Sequence, residues 1–175
     1  MRTCKHCKEK FEPIKKGQKY CLKNDCVEVW VQEVKEKNWK AKKKRMKEDL
    51  KTVTDYTRDA QKIVNQYIRL RDKDLDCISC GADLDAKNIN AGHHFSANGY
   101  PNTRFNEDNI HNQCVYCNQH NSGNLLEYRK GLITKIGQER YDKLEAESKS
   151  KKSYTKEELK NIIKNFKEKC RLLTK

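Results

Sequence analysis

The chain has 175 residues, enough for one or two small domains, and 35% hydrophobic beside 37% charged residues implies modest cores that need reinforcement, which nine cysteines can supply. Lys plus Arg total 39 against 25 acidic residues, and the resulting charge of +14 attracts polyanions, nucleic acid foremost. The N-terminus, MRTCKHCKEK, has no apolar signal core and no apolar run approaches bilayer length, which argues against a membrane partner and for a cytoplasmic location. Thiols stay reduced there, so closely spaced cysteines are expected to ligate zinc rather than form disulfides.

Residues 1–26 carry CKHC and CLKNDC. Cys4 and Cys7 have two residues between them, thirteen follow, and Cys21 and Cys26 have four between them, the spacing of a small tetrahedral Cys4 zinc finger. The segment has almost no core, so the metal is expected to fold it. His6, between two stronger ligands, reads as a surface residue. Residues 27–71 form a basic helical arm and a packing helix. The first helix, 27–56, has a thin apolar seam of Val27, Trp30, Val34, Leu50 and Val53. Nine Lys or Arg against three acids lie between Lys35 and Lys51, and Lys42, Lys43, Lys44 and Arg45 are its candidate DNA contacts. Trp39 in this run is placed either to stack or to pack. The second helix, from about Asp55 to Arg71, carries Ala60, Ile63, Val64, Tyr67 and Ile68 on one face for packing on the next domain.

Residues 72–147 hold most of the chemical information. CISCG supplies Cys77 and Cys80, CVYC supplies Cys114 and Cys117, and 33 residues separate the pairs. Four thiolates close a zinc shell, which makes that ion structural. The candidates for chemistry lie in NAGHHFSANGYPNTRFNEDNIHNQCVYCN: His93 and His94 in a short extended stretch, Asn109, Asn118 and, two places on, His120. A neutral imidazole can take a proton from water, and amide oxygens and imidazoles can bind a divalent metal, so the set suits a one-metal phosphodiester hydrolase. Any one of them alone is more often a turn former or hydrogen-bonding residue. Adjacent strand residues face opposite ways, so at most one of the two histidines points straight into a site. Arg104 in RFNE is either a phosphate clamp or half of a structural ion pair. His111 reads as structural.

NLLEYRKGLITKIG has the spacing of a short helix that Gly137 ends. ESKSKKS, 147–153, reads as a linker, and residues 148–175 as a basic amphipathic helix. Thr155 and Glu158 fit a capping box, and Leu159, Ile162, Ile163, Phe166, Cys170 and Leu173 share a face. That face serves either core packing or a homodimer. The predicted class is α+β.

The order CxxC, Gly-His, NIHNQC, CxxC-Asn resembles the zinc-bearing branch of the HNH, or ββα-metal, nucleases. More closely, RDKDLDCISCG, AGH, RFNEDNIHNQCVYCNQHNSGNLLEYR and IGQE resemble the NinG/Rap recombination endonucleases of lambdoid phages, most specifically over residues 68–139. The resemblance implies a β-hairpin and helix around one catalytic Mg2+ or Mn2+, two structural zinc ions, and cleavage of branched DNA such as D-loops and Holliday junctions in the bacterial host cell. It assigns His93 as the general base, Asn109 as the residue that orients the hairpin, Asn118 as metal ligand and His120 as the nearest further ligand. An alternative register makes His93 the metal ligand and His94 the base. Where many HNH sites carry Asp or His before the base, this chain has Gly92, so the metal shell is incompletely assigned. The rival readings are a zinc-dependent DNA-binding recombination protein without catalysis, and an HNH-like nuclease directed at RNA.

Overall fold

A computed structural model describes residues 1–85 and 88–174. The chain divides into two compact units, Met1–Lys51 and Thr52–Lys175. In the first, β1 (Arg2–Thr3) pairs antiparallel with β2 (Lys10–Phe11), and α1 (Asn24–Asp49) follows. The core of this unit is Cys4, Tyr20, Cys21 and Cys26, with Cys7, Phe11 and Val29 against it. Helix α1 joins that core by its first turns only, through Cys26 and Val29, and the Lys5 ammonium bonds Glu33 one turn further at 2.7 Å. From Gln32 onwards every residue of α1 is exposed. The anchoring face is therefore not the expected seam, of which Trp30 and Val34 face solvent.

The single helix expected over 27–56 is two helices. Helix α1 stops at Asp49, and α2 (Val53–Arg71) starts behind a capping box. The Thr52 hydroxyl accepts from the Asp55 amide at 3.2 Å and Asp55 Oδ2 accepts from the Thr52 amide at 2.9 Å. Leu50 and Val53 thus belong to no common seam. The arm and packing helix grouped as 27–71 part between Lys51 and Thr52, and the packing helix belongs to the second unit.

The second unit is α+β. Strands β3 (Ile89–His93) and β4 (Ile110–Cys114) form an antiparallel hairpin with Ile89 opposite Cys114 and His93 opposite Ile110. After it come α3 (Leu125–Ile136), α4 (Gln138–Ser148) and α5 (Lys156–Leu173). The α2 stripe of Tyr56, Ala60, Val64 and Ile68 is buried with Phe105, Ile110 and the Leu159 and Phe166 side chains of α5. The apolar face of α5 is thereby used inside the unit, Cys170 is buried, and 148–175 is no separate piece. A second cluster joins Tyr128 and Leu132 of α3 to Tyr141 and Leu144 of α4. Helix α4 was not expected. Its sequence is mostly charged, and only Tyr141, Leu144 and Ser148, at i, i+3 and i+7, turn inward. Gly137, at φ +82°, ends α3 and opens α4. No helix among the described residues is long and apolar enough to cross a membrane.

Two close fits fix the hairpin against the helices. At Gly131, α3 approaches the Cys77–Cys80 turn so nearly that a Cβ would stand 2.1 Å from the Ile78 carbonyl oxygen. Asp72, at the end of α2, is 2% exposed. Its carboxylate accepts from Arg71 Nε and Nη2 at 2.8 and 2.7 Å and from the Asn112 amide at 3.2 Å, with Lys135 of α3 at 3.3 Å. Burial alone would raise the Asp72 carboxyl, but Arg71 and Lys135 hold it well below the usual carboxylate range. His111, buried on β4, receives Arg71 Nη2 at 2.9 Å on Nδ1 and donates from Nε2 to the Asp108 carbonyl at 3.1 Å. That pattern fits the neutral imidazole, and burial pushes its pKa below the ordinary histidine value.

Gly131→Ala should destabilise the second unit by about 1–3 kcal/mol, the cost of overpacking, measured by denaturant unfolding. Asp72→Asn leaves Arg71 without its carboxylate and should cost on the order of 3 kcal/mol. Because a depressed carboxyl loses its contribution only as pH falls through its folded value, that difference should stay constant from pH 8 to pH 5. A gap that closes within this window would show that Asp72 is not held ionised.

Candidate metal centres and hairpin site

Two cysteine tetrads come together, Cys4, Cys7, Cys21 and Cys26 in the first unit and Cys77, Cys80, Cys114 and Cys117 in the second, the ligand atoms of each set within 4.8 Å of one another. Cys7 and Cys21 have their Sγ atoms 3.7 Å apart, and Cys80 and Cys114 3.9 Å. A tetrahedron with Zn–S of about 2.3 Å has an edge of about 3.8 Å, so both sets could hold zinc. Backbone amides support the sulfurs: Cys21 donates to Cys4 Sγ, and Cys114 to Cys77 Sγ, both at 3.3 Å. Burial pushes the Cys26 and Cys117 thiols up to about 12, a cost that a cation among four thiolates removes. His6 is exposed and outside the first set.

The second tetrad ties both ends of the hairpin. Cys77 and Cys80 precede β3, Cys114 ends β4, and Cys117 lies in the π-helical turn Tyr116–His120 that follows. At the other end of the hairpin Asn109 is fully buried. Its Oδ1 accepts from the Phe95 amide at 2.8 Å, and its Nδ2 donates to the Phe95 and Thr103 carbonyls at 2.9 and 3.0 Å. Asn109 thus closes the loop between the strands, and the His94 amide extends the ladder by donating to its carbonyl at 3.0 Å. Tyr128 of α3, wholly buried, donates to the Gly92 carbonyl at 2.8 Å and accepts from the His111 amide at 3.0 Å.

The two adjacent histidines point to different sides, as strand alternation requires. His93 turns toward α2: its Nε2 lies 3.1 Å from the Arg104 carbonyl and 3.5 Å from Gln61 Nε2. His94 turns toward α3 and α4, in ring contact with Phe95, Tyr128 and Tyr141. Its Nε2 is 3.2 Å from the Tyr141 hydroxyl, and its buried Nδ1 has no hydrogen-bond partner among the described residues. Burial, then the charge of Arg129, lowers its pKa from the ordinary histidine value. Gly92 is glycine for a steric reason. A Cβ there would stand 2.2 Å from Gln113 Oε1, so no ligand side chain fits without moving Gln113.

Asn118 and His120 lie in the π-helical turn and not on α3, which begins at Leu125 after a turn with Ser122, Gly123 and Asn124 at positive φ. Asn118 is half-buried and His120 exposed, and no hydrogen bond links either to His93 or His94. Apart from the cysteine tetrads, no three His, Cys, Asp or Glu side chains among the described residues gather as a metal site. Arg104 makes no ion pair among the described residues; its Nε donates to Gln61 Oε1 at 3.0 Å on the α2 side. The cation that bears on His94 is Arg129, exposed, its guanidinium 5.1 Å from the Tyr141 ring centroid. Nothing in the sequence singled it out, because its partner ring lies on the unexpected α4. Lys42, Lys43, Lys44 and Arg45 are all exposed on α1.

Elemental analysis of protein purified under reducing conditions should find about two zinc ions per chain. Cys114→Ser should lower this to about one and unfold the second unit, whereas Cys4→Ser should lower it equally but leave the tertiary signal of the second unit intact. Protein without zinc would remove the scaffold role of both tetrads.

The chain matches the family model described as the bacteriophage lambda NinG protein over residues 1–175. It is 38% identical over 189 residues to protein ninG of Escherichia phage lambda, and 37% identical over 187 residues to that of Escherichia phage 933W, in each case covering 97% of this chain and 92% of the relative. Protein ninG of Salmonella phage P22 is 36% identical over 189 residues, with the same coverage of both chains. No solved structure matches. With the whole length matched and the relatives covered almost end to end, the chain belongs to the NinG family of phage proteins.

Proposed function

We propose that this protein is an HNH-type DNA endonuclease of phage recombination, hydrolysing phosphodiesters in branched intermediates such as D-loops and Holliday junctions. The observation that carries this reading is His94: an imidazole directly after β3, facing α3, whose buried Nδ1 has no hydrogen-bond partner among the described residues and whose pKa burial lowers. The hairpin-then-helix order, the loop closed by Asn109 and the cysteine-clamped turn bearing Asn118 support it. The preference for branched DNA rests on the resemblance of the motifs alone.

Of the two registers we adopt the second. His93 donates from Nε2 to the Arg104 carbonyl, whereas His94, with Nε2 donating to the Tyr141 hydroxyl, has a buried Nδ1 without a partner among the described residues, which would accept a proton once a water is admitted beside it. Arg129 is the better candidate than Arg104 for holding the scissile phosphate, since Arg104 is bonded to Gln61. A divalent metal would supply charge stabilisation at the phosphate. The described residues do not assemble a carboxylate or histidine shell for it. The exposed Lys42–Arg45 run would hold the DNA backbone.

Labelled branched, duplex and single-stranded DNA, with branched RNA beside them, should be incubated with wild type, His93→Ala, His94→Ala, Asn118→Ala and Arg129→Ala, with and without Mg2+ or Mn2+. His94→Ala should slow cleavage by about 100-fold or more at unchanged affinity, the usual contribution of a general base. The acid limb of the wild-type rate should fall below about pH 6.5, since a base with a depressed pKa stays deprotonated to lower pH. A dead His93→Ala beside an active His94→Ala would restore the first register. Zinc-loaded protein that binds DNA but cuts nothing under any metal condition would leave a binding protein without catalysis, and preferred cutting of RNA would change the substrate. Replacing Lys42, Lys43, Lys44 and Arg45 by Ala should weaken binding to all DNA sequences alike and flatten the salt dependence, with cleavage at saturating protein retained.

A further inference from the structure

The exposed stretch of α1 carries more than charge. Trp39 is 57% exposed, an unusual position for an indole in a protein with 8% aromatic residues. On a helix of 3.6 residues per turn, Lys35, Lys42 and Lys43 stand four before, three after and four after it, and so share its face. Met46, 49% exposed, continues that face two turns on. The ammonium groups of these three lysines make no ion pair among the described residues, while Glu36, three before Trp39 and on the same face, is paired with Lys40 at 2.5 Å. Trp30 lies nine positions earlier, which at about 100° per residue puts it on the opposite side of α1.

We propose that Trp39, flanked by Lys35, Lys42 and Lys43 and continued by Met46, is a stacking platform for the bases of an unpaired DNA strand. An indole ringed by unpaired cations matches the two demands of such a strand, a flat apolar surface for each base and positive charge for each phosphate. From Lys35 to Lys43 the face runs about 12 Å, enough for about two nucleotides. A duplex offers no exposed base face, so the platform would add affinity only where strands separate, as they do at a branch. A second copy of this chain is a poorer occupant, since each would bring the same lysines to the contact. The inference rests on the DNA-binding part of the proposed function and not on cleavage.

The test uses full-length zinc-loaded protein without Mg2+ or Mn2+. With two tryptophans in the chain, Trp30→Phe leaves Trp39 as the sole indole reporter. Its fluorescence should be quenched by an oligodeoxythymidylate of about 20 nucleotides, and far less by an abasic oligomer of equal length and charge. Trp39→Ala should weaken oligodeoxythymidylate binding by about tenfold or more while changing blunt-duplex and abasic binding less than twofold. Equal losses on all three, or no quenching on bound oligodeoxythymidylate, would overturn the platform without touching the nuclease reading. A sedimentation coefficient that drops in Trp39→Ala would also overturn it, in favour of a self-association surface. Because Trp39 is exposed, the far-ultraviolet dichroism of the variant should match wild type, and a variant binding with a loss confined to the oligodeoxythymidylate supports the proposal.

Discussion

The second unit is organised around one buried carboxylate. Asp72 ends α2, yet its oxygens and its carbonyl are used by β4 through Asn112, by α3 through Lys135, and by the neighbouring Arg71. Arg71 in turn reaches the carbonyls of Glu107 and Ile110, at the start of β4. Burying an ion is costly unless every lone pair is answered, and here the answering groups come from three elements that the chain places far apart. The hairpin therefore cannot shift along α2 without stranding a charge. Everything in the candidate site hangs on that register, because His93 and His94 exchange sides if β3 slips by one residue.

The second cysteine tetrad and Asn109 hold different ends of the same hairpin. Sulfur ligands clamp the open end, where Cys77 meets the Cys114 amide. Asn109 closes the loop end by three hydrogen bonds to the backbone of Phe95 and Thr103. A segment so held needs little apolar core, which fits a chain with more charged than hydrophobic residues.

Some features were legible in the sequence because they depend on local spacing. Both cysteine sets, the capping box at Thr155 and the α2 stripe are of this kind, and each is observed in the fold. Membership of the NinG family was legible from the order of motifs. Other features depend on partners far along the chain. Helix α4 buries only three side chains, too few to stand out among its charges, and it is held by α3. The break at Thr52 was readable as a Thr-x-x-Asp cap but lay within an otherwise continuous helical pattern. The direction of each histidine needed the loop, since Arg104 occupies His93 from eleven residues away. Arg129 became visible only once Tyr141 had a position.

Helix α1 sits in water over most of its length, and this has a consequence for its own order. Five basic residues crowd the six positions from Lys42 to Lys47, and their mutual repulsion works against the helical turns that bring them together. The helix macrodipole offsets part of this by favouring cations at the C-terminal end. A polyanion laid along the arm would relieve the remainder, so ordering of the helix and occupancy of the arm are thermodynamically linked, each making the other more favourable.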